Sequence, residues 1–199
     1  MHILFADACV REESRTRRLA LHLIKQLGGS VDHVRLADES IAPLDEKRLR
    51  ERENALLRKD FGHCVLKYAV EFAAADVIVM AAPYWDLSFP AIMKTYIENI
   101  CAAGVTFDYE DDGALRGLCR ARRLVYVTTA GGRGLPDAFG FGYIDALCRS
   151  YFGINETKCI CAEGLDITGA NIDAILETAK ADIDEYVKIF EAETAGEKK

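Results

Sequence analysis

The sequence predicts an α/β fold in which a five-stranded parallel sheet is covered by helices on both faces. Strand-like and helical segments alternate along the whole chain, which is the pattern of repeated β-α-β units. Residues 77–82 (VIVMAA) are continuously apolar, as expected for a strand that is buried on both faces. Five strands, each followed by a helix, favour the strand order 2-1-3-4-5, with a ligand crevice between the first and third strands.

The strands are predicted where short apolar or alternating runs are bounded by turn residues. They are expected at residues 2–6, 31–36, 77–82, 124–129 and 157–162. Residues 104–109 also alternate between apolar and polar side chains, which predicts a short extended excursion. The sequence Asp111-Asp112-Gly113 is expected to turn that excursion back.

The helices are predicted by apolar residues three and four positions apart. In the first helix, residues 14–27, Leu19, Leu23 and Leu27 share a face, and Gly28-Gly29 ends the helix. The other helices are expected at 45–58, at 65–73, after Pro90, at 143–151 and at 172–190. We predict one domain over residues 1–193, followed by a frayed tail at 194–199.

Composition and charge exclude several classes of function. The 199-residue chain has a formal net charge of -7, so we expect no binding to nucleic acid or to an anionic membrane surface. No apolar run reaches the ~18 residues of a membrane span. The amino-terminal segment lacks the basic region of a signal peptide, so we predict a cytoplasmic protein.

Seven cysteines are scattered through the chain without a CxxC pair. The four histidines show no ligand spacing with them, so no metal site is predicted. Reduced and buried thiols are the simplest interpretation, and a redox-sensing cysteine is the alternative.

The loop that follows the first strand has the features of an anion site. Ser14 is a good N-cap for the first helix, whose free N–H groups and dipole attract negative charge. Thr16 adds a hydroxyl group, and Arg15, Arg17 and Arg18 add positive charge. Because the loop has neither GxGxxG nor GK[ST], a single phosphate monoester fits it better than a pyrophosphate or a triphosphate. An ordinary capped helix with a solvated basic face is the alternative.

Two further loops are expected at the same edge of the sheet. Residues 83–87 (PYWDL) offer aromatic rings that can wall a flat heterocycle, or that only cap the core. Residues 129–134 (TAGGRG) allow close backbone approach to a ligand, or form only a flexible turn. The convergence of the three loops on one crevice favours a binding site.

These loops, together with DVIVMAAPYWDLSFPAIMKTYI, AAGVTFDY and TTAGG, resemble the flavodoxin-like FMN-dependent NAD(P)H:quinone reductases and azoreductases over nearly the whole chain. The resemblance implies a flavodoxin-like three-layer sandwich that binds FMN. It also implies a homodimer with its active sites at the interface. Turnover would be ping-pong, from NADH or NADPH to a quinone, azo or similar aromatic acceptor.

The resemblance assigns the site residues by position. The phosphate-binding segment is Ser14, Arg15 and Thr16. The segment that lines the isoalloxazine ring is Pro83, Tyr84, Trp85, Asp86 and Leu87. The glycine loop at the pyrimidine side is Thr129, Ala130, Gly131 and Gly132. No catalytic side chain is assigned, because the flavin carries the chemistry.

Some positions depart from the family pattern. Ala8 stands where a phosphate-binding Ser is common, and Asp86 stands where many members have Asn. A carboxylate beside the ring would oppose negative charge on the reduced flavin. Ala130 replaces a polar or basic residue, for which Arg133 is the candidate substitute. Two alternatives to an enzyme remain at this point, namely a flavodoxin-type electron carrier and a flavin-free regulatory protein with the same fold.

Overall fold

The computed structural model describes residues 1–196, which form seven strands and six α-helices. The strands are β1 (His2–Asp7), β2 (Ser30–Arg35), β3 (Val77–Ala81), β4 (Phe107–Tyr109), β5 (Leu115–Gly117), β6 (Arg123–Thr129) and β7 (Glu156–Ala162). The helices are α1 (Arg15–Leu27), α2 (Glu46–Leu57), α3 (Lys67–Ala74), α4 (Ala91–Ile100), α5 (Phe141–Leu147) and α6 (Ile172–Gly196). A 3-10 turn (Cys64–Leu66) leads into α3, and a π-helical turn (Cys148–Phe152) follows α5.

Five strands form one parallel sheet in the order β2-β1-β3-β6-β7. This is the predicted order 2-1-3-4-5 once only the strands of this sheet are counted, so the predicted fold class is confirmed. In register, Asp7 lies beside Ala81, and Ala81 lies beside Val127. The carboxyl ends of the three central strands therefore meet at one edge, where the next loops begin.

Alternate residues of the strands build two apolar layers, one on each face of the sheet. Ile3 and Phe5 pack with residues of α1 and α6, whereas Leu4 and Ala6 pack with residues of α3, α4 and α5. All five residues of β3 are buried, which explains its unbroken apolar sequence. The result is the predicted three-layer sandwich.

Helix α1 begins and ends as its sequence indicates. The Oγ of Ser14 accepts a hydrogen bond of 3.2 Å from the N–H of Arg17, which is the expected N-cap contact. At the other end Gly28 has φ 66°, and its N–H donates to the carbonyl of Ile24 at 3.1 Å. The amino terminus of α1 is thereby fixed directly beside the loop that follows β1.

The hairpin of β4 and β5 was only half predicted. The extended excursion and its turn are present, but β5 pairs antiparallel with β4 and was not anticipated. Its position depends on backbone contact with the π-helical turn after α5. A Cβ atom added to Gly117 would lie 2.2 Å from the backbone N of Gly153.

Helix α6 extends through Gly196, so residues 194–196 of the predicted tail continue this helix. The rest of the predicted tail, residues 197–199, lies outside the described residues. Within residues 1–196, no helix combines the length and apolar character needed to cross a membrane.

Candidate active site at the carboxyl edge of the sheet

The loops after β1, β3, β6 and β7 enclose a cleft with a cavity volume of about 260 Å³. Nine of the twelve residues assigned from sequence line this cleft. They are Ser14, Arg15, Thr16, Pro83, Tyr84, Trp85, Thr129, Ala130 and Gly131. Asp86, Leu87 and Gly132 do not line it, although each adjoins a segment that does. The structure therefore brings the three predicted loops together in one place.

A buried ion pair between Arg17 and Asp7 lies beneath the loop that follows β1. Nε of Arg17 donates to Oδ2 of Asp7 at 2.5 Å, and both side chains are almost fully buried. Burial raises the pKa of Asp7, but hydrogen bonds from Arg17, from the Cys9 N–H and from His33 outweigh burial, so the net pKa is lowered. Arg17 was expected to offer positive charge to a ligand, and that expectation is wrong. Its charge is compensated by Asp7 inside the fold.

Several backbone N–H groups around this loop are available to a ligand. No protein acceptor within residues 1–196 meets those of Val10, Arg11, Arg15 and Thr16. They surround the amino terminus of α1, where the helix dipole also favours negative charge. Free N–H groups at a helix start are the usual protein contribution to a phosphate site.

The hydroxyl groups of Thr16 and Thr129 connect the first loop to the end of β6. Their oxygen atoms lie 2.6 Å apart. In such a pair one hydroxyl donates and the other accepts, so the accepting hydroxyl keeps a hydrogen for another partner. The pair therefore still offers a donor, although Thr16 itself is buried.

The aromatic loop after β3 contains an unusual tight turn. The N–H of Trp85 donates to the Ser88 carbonyl at 3.0 Å, and the N–H of Ser88 donates to the Trp85 carbonyl at 2.8 Å. Between them Asp86 and Leu87 have φ of 50° and 68°, in the left-handed region that disfavours side chains. Such strain is concentrated at functional sites.

The two aromatic residues of this loop differ in hydrogen bonding and in exposure. The hydroxyl of Tyr84 donates to the Pro136 carbonyl at 2.8 Å, so it is already engaged within the protein. The Trp85 side chain, in contrast, is 39% exposed at the cleft wall. Trp85 is therefore the more accessible of the two rings to a flat ligand in the cleft.

In the glycine loop after β6 the carbonyls are hydrogen-bonded, whereas two N–H groups are not, and one of these belongs to Gly131 in the cleft lining. The N–H groups of Gly164, Leu165 and Asp166 donate to the carbonyls of Gly132, Ala130 and Gly131 at 2.7, 3.1 and 3.2 Å. In the described part of the chain, the N–H groups of Gly131 and Gly132 have no acceptor. The loop is thus ordered by pairing on one side and has unpaired donors on the other.

The loop after β7 also lines the cleft, and the sequence analysis did not include it. Leu165 and Asp166 contribute to the wall, and Nη1 of Arg15 lies 3.2 Å from Oδ1 of Asp166. This exposed ion pair joins α1 to the loop across the cleft. The available signal was its position, since it too follows a parallel strand at the carboxyl edge of the sheet.

Comparison with known proteins was informative for both family and fold. A family model described as a flavodoxin-like fold matches residues 1–187. An FMN-dependent NADH:quinone oxidoreductase from Coprothermobacter proteolyticus is 32% identical over 193 residues, which cover 90% of this chain and 93% of that protein. The chain belongs to the flavodoxin-like family that includes these oxidoreductases. The family predicted from the sequence is therefore confirmed.

Other members and solved structures agree with this assignment. FMN-dependent NADH:quinone oxidoreductase 2 of Clostridium acetobutylicum is 42% identical over 134 residues, which cover 64% of this chain and 66% of that protein. The chain thus matches slightly less than two thirds of that relative's length. An azoreductase structure from Bacillus anthracis superimposes with a TM-score of 0.80 at 21% identity, covering 94% of this chain and 98% of the other, and shows the shared fold.

The residues that depart from the family pattern lie in different places relative to the cleft. Ala8 is buried in the apolar layer that α3 and α4 cover and does not line the cleft. Ala130 does line the cleft. Arg133 packs against Gly164, where an added Cβ would lie 2.5 Å from Nε, and it is not among the lining residues. Arg133 as a substitute for a polar side chain at position 130 therefore stays a prediction.

The thiol in the cleft is not poised to react. Burial, and next the nearby Asp7 carboxylate, raise the pKa of Cys9 to about 12. Burial likewise raises the pKa of Cys101 and Cys161 to about 11, and of Cys119 and Cys159 to about 12. At neutral pH these thiols are protonated, which favours the interpretation of reduced structural cysteines.

Proposed function

We propose that this single-domain protein is an FMN-dependent NAD(P)H oxidoreductase that passes two electrons, by a ping-pong mechanism, to a quinone, azo or similar aromatic acceptor. The observation that carries the proposal is the composition of one cleft. It combines free N–H groups at a helix start, a partly exposed Trp85 and a glycine loop whose Gly131 N–H is free. These match, in turn, a phosphate group, a flat ring and the hydrogen-bond acceptors of its pyrimidine edge.

The residues present fit FMN, and each loop has a separate task. Ser14, Arg15 and Thr16 would hold the phosphate group at the start of α1. The isoalloxazine ring would lie along the segment Pro83, Tyr84, Trp85, Asp86 and Leu87. Thr129, Ala130, Gly131 and Gly132 would approach its pyrimidine edge. The cleft lacks a GxGxxG or GK[ST] loop for a longer phosphate chain.

FMN, when bound, supplies the hydride and electron transfer chemistry. The protein residues bind and orient. The N–H groups of Gly131 and Gly132 would serve as fixed donors to the pyrimidine edge, where they would stabilise negative charge. No acid–base side chain is required, and the Cys9 thiol, which burial and Asp7 keep protonated, takes no part. The names of the relatives favour NADH as the donor.

We further propose a cytoplasmic homodimer with its active sites at the interface. Five large apolar residues in the loops at this edge of the sheet are at least 39% exposed. They are Val10, Trp85, Leu87, Phe139 and Ile167. A second copy that covers them would also wall the acceptor site, and seven free cysteines are typical of a reducing compartment. Analytical ultracentrifugation of Leu87→Lys protein against the wild type tests the dimer, which should dissociate more readily.

Absorbance spectroscopy of the purified protein tests the proposed function. Added FMN should bind at micromolar concentration, and NADH or NADPH should then bleach the flavin band until a quinone restores it. Failure to bind FMN would indicate a flavin-free protein on this fold. Binding without bleaching by either nicotinamide would indicate an electron carrier.

A further inference from the structure

The Arg17 side chain makes several hydrogen bonds to the loop that follows β1, in addition to its ion pair with Asp7. Its Nη1 donates to the carbonyls of Arg11 and Glu12 at 2.8 and 3.0 Å, and its Nη2 donates to the carbonyl of Cys9. Its Nε bonds Asp7 at 2.5 Å. One guanidinium group thus binds three carbonyls within four successive residues of the loop.

We propose that Arg17 is a positioning residue for the phosphate group of the cofactor, and this rests on the proposed function. In a trans peptide a carbonyl and the N–H of the next residue point in opposite directions, so Arg17 leaves the N–H groups that follow its three bound carbonyls directed away from itself. These are the N–H groups of Val10, Glu12 and Glu13, and within residues 1–196 they have no acceptor. Arg17 therefore acts on the phosphate through the backbone and not through its own charge.

Asp7 provides the negative charge that allows the Arg17 guanidinium to be buried. A buried guanidinium without a counter-charge would be strongly destabilising. Asp7 supplies the charge through Oδ2, while its Oδ1 accepts from the Cys9 N–H at 2.9 Å. The loop is consequently held at Cys9 by its N–H to Asp7 and by its carbonyl to Arg17. Asp7 is the last residue of β1 and Arg17 lies in α1, so both residues that hold Cys9 belong to regular secondary structure.

Lysine cannot replace Arg17 in this role. A lysine keeps the positive charge beside Asp7, but its ammonium group is a compact donor that cannot span carbonyls on both sides as the planar guanidinium does. The Arg17→Lys protein therefore separates charge from loop geometry. Arg18→Lys, on the exposed face of the same helix, is the matched control.

The test compares the affinities for FMN and for riboflavin, which lacks the phosphate group. For Arg17→Lys we expect FMN affinity to fall by about tenfold or more, which corresponds to about 1.4 kcal/mol of binding free energy. The affinity for riboflavin should stay within about threefold of the wild-type value. A general loss of structure would weaken both ligands together. Arg18→Lys should resemble the wild type for both ligands.

The outcomes separate this inference from the proposed function. If the wild type binds FMN and Arg17→Lys keeps the wild-type ratio of the two affinities, the positioning role is overturned. If the wild type binds no FMN, the proposed function fails first. Should Arg17→Lys not fold, amide NMR of the wild type with inorganic phosphate decides the question. The signals of Val10 and Glu13, which line the cleft, should then shift, and their remaining fixed while the Arg15 signal moves would contradict the inference.

Discussion

The hydroxyl oxygens of Thr16 and Thr129 lie 2.6 Å apart, so the start of α1 is joined directly to the end of β6. This contact connects the segment proposed for the phosphate group with the glycine loop. It also means that the two hydroxyls share one hydrogen bond and keep one further donor between them.

Removal of the two hydroxyls at the start of α1 should weaken FMN binding. For Ser14→Ala/Thr16→Ala protein we expect a loss of about 1–3 kcal/mol in FMN binding, the value of hydrogen bonds to a charged group. Because Ser14 also caps α1, about 1 kcal/mol of stability should be lost as well. Isothermal titration and urea unfolding measure the two effects. Thr178→Ala, whose hydroxyl donates only to the Ala174 carbonyl on α6, is the control. Unchanged affinity would place the phosphate elsewhere.

Substitution of Gly117 should destabilise the hairpin of β4 and β5. A Cβ at this position would meet the backbone of Phe152 and Gly153 at 2.2 Å, and backbone atoms cannot move aside as a side-chain tip does. We expect Gly117→Ala to cost about 1–3 kcal/mol or more in urea unfolding. At Gly62 an added Cβ would meet only Asp60 Oδ1, at 3.7 Å. Gly62→Ala should therefore unfold like the wild type, and equal stability of the two variants would refute this account of the hairpin.

Asp86 should tune the reduction potential of bound FMN. The Asp86→Asn protein loses a negative charge next to the cleft-lining Trp85, and Asn tolerates the φ of 50° at this turn. We expect the two-electron potential to rise by roughly 10–20 mV, for an interaction of up to about 1 kcal/mol. A spectroscopic redox titration measures the shift, with Asp173→Asn on α6 as control. A fall in potential, or an equal rise in the control, would contradict a local effect of Asp86.

The buried pair of Asp7 and Arg17 should make stability depend on acid. The pKa of Asp7 is lowered on folding, so its contribution is complete above the unfolded-state value of about 3.9 and is lost as pH falls through the folded-state value. We expect Asp7→Asn to be less stable than the wild type at pH 7 and to lose less stability below about pH 4. Urea unfolding at several pH values measures this. Parallel acid profiles would show that Asp7 is not responsible.

The sequence predicted the fold well because burial leaves a periodic trace. The unbroken apolar run at 77–82 and the leucines at 19, 23 and 27 each specify which face of an element is covered. The hairpin strand β5 left little trace, because its three residues, Leu115 to Gly117, are placed by contact with the chain around Gly153.

The three loops singled out in the sequence meet at one cleft, but their contacts could not be predicted. Loop positions follow from the parallel sheet, so nine of twelve residues met at the cleft. The direction of the Arg17 side chain depends on the carbonyls of a folded loop, which no local pattern reveals. Asp166 reaches Arg15 across 151 residues of sequence, so only tertiary structure brings it to the site.

The fluorescence of Trp85 tests most directly whether FMN binds in this cleft. Trp85 is the only tryptophan of the chain, and it forms part of the cleft wall. We expect FMN to quench its emission strongly, to saturation at one FMN per chain, and at the same concentrations at which the flavin absorbance shifts. Saturable FMN binding that leaves the emission of Trp85 unchanged would place the flavin elsewhere and contradict the account.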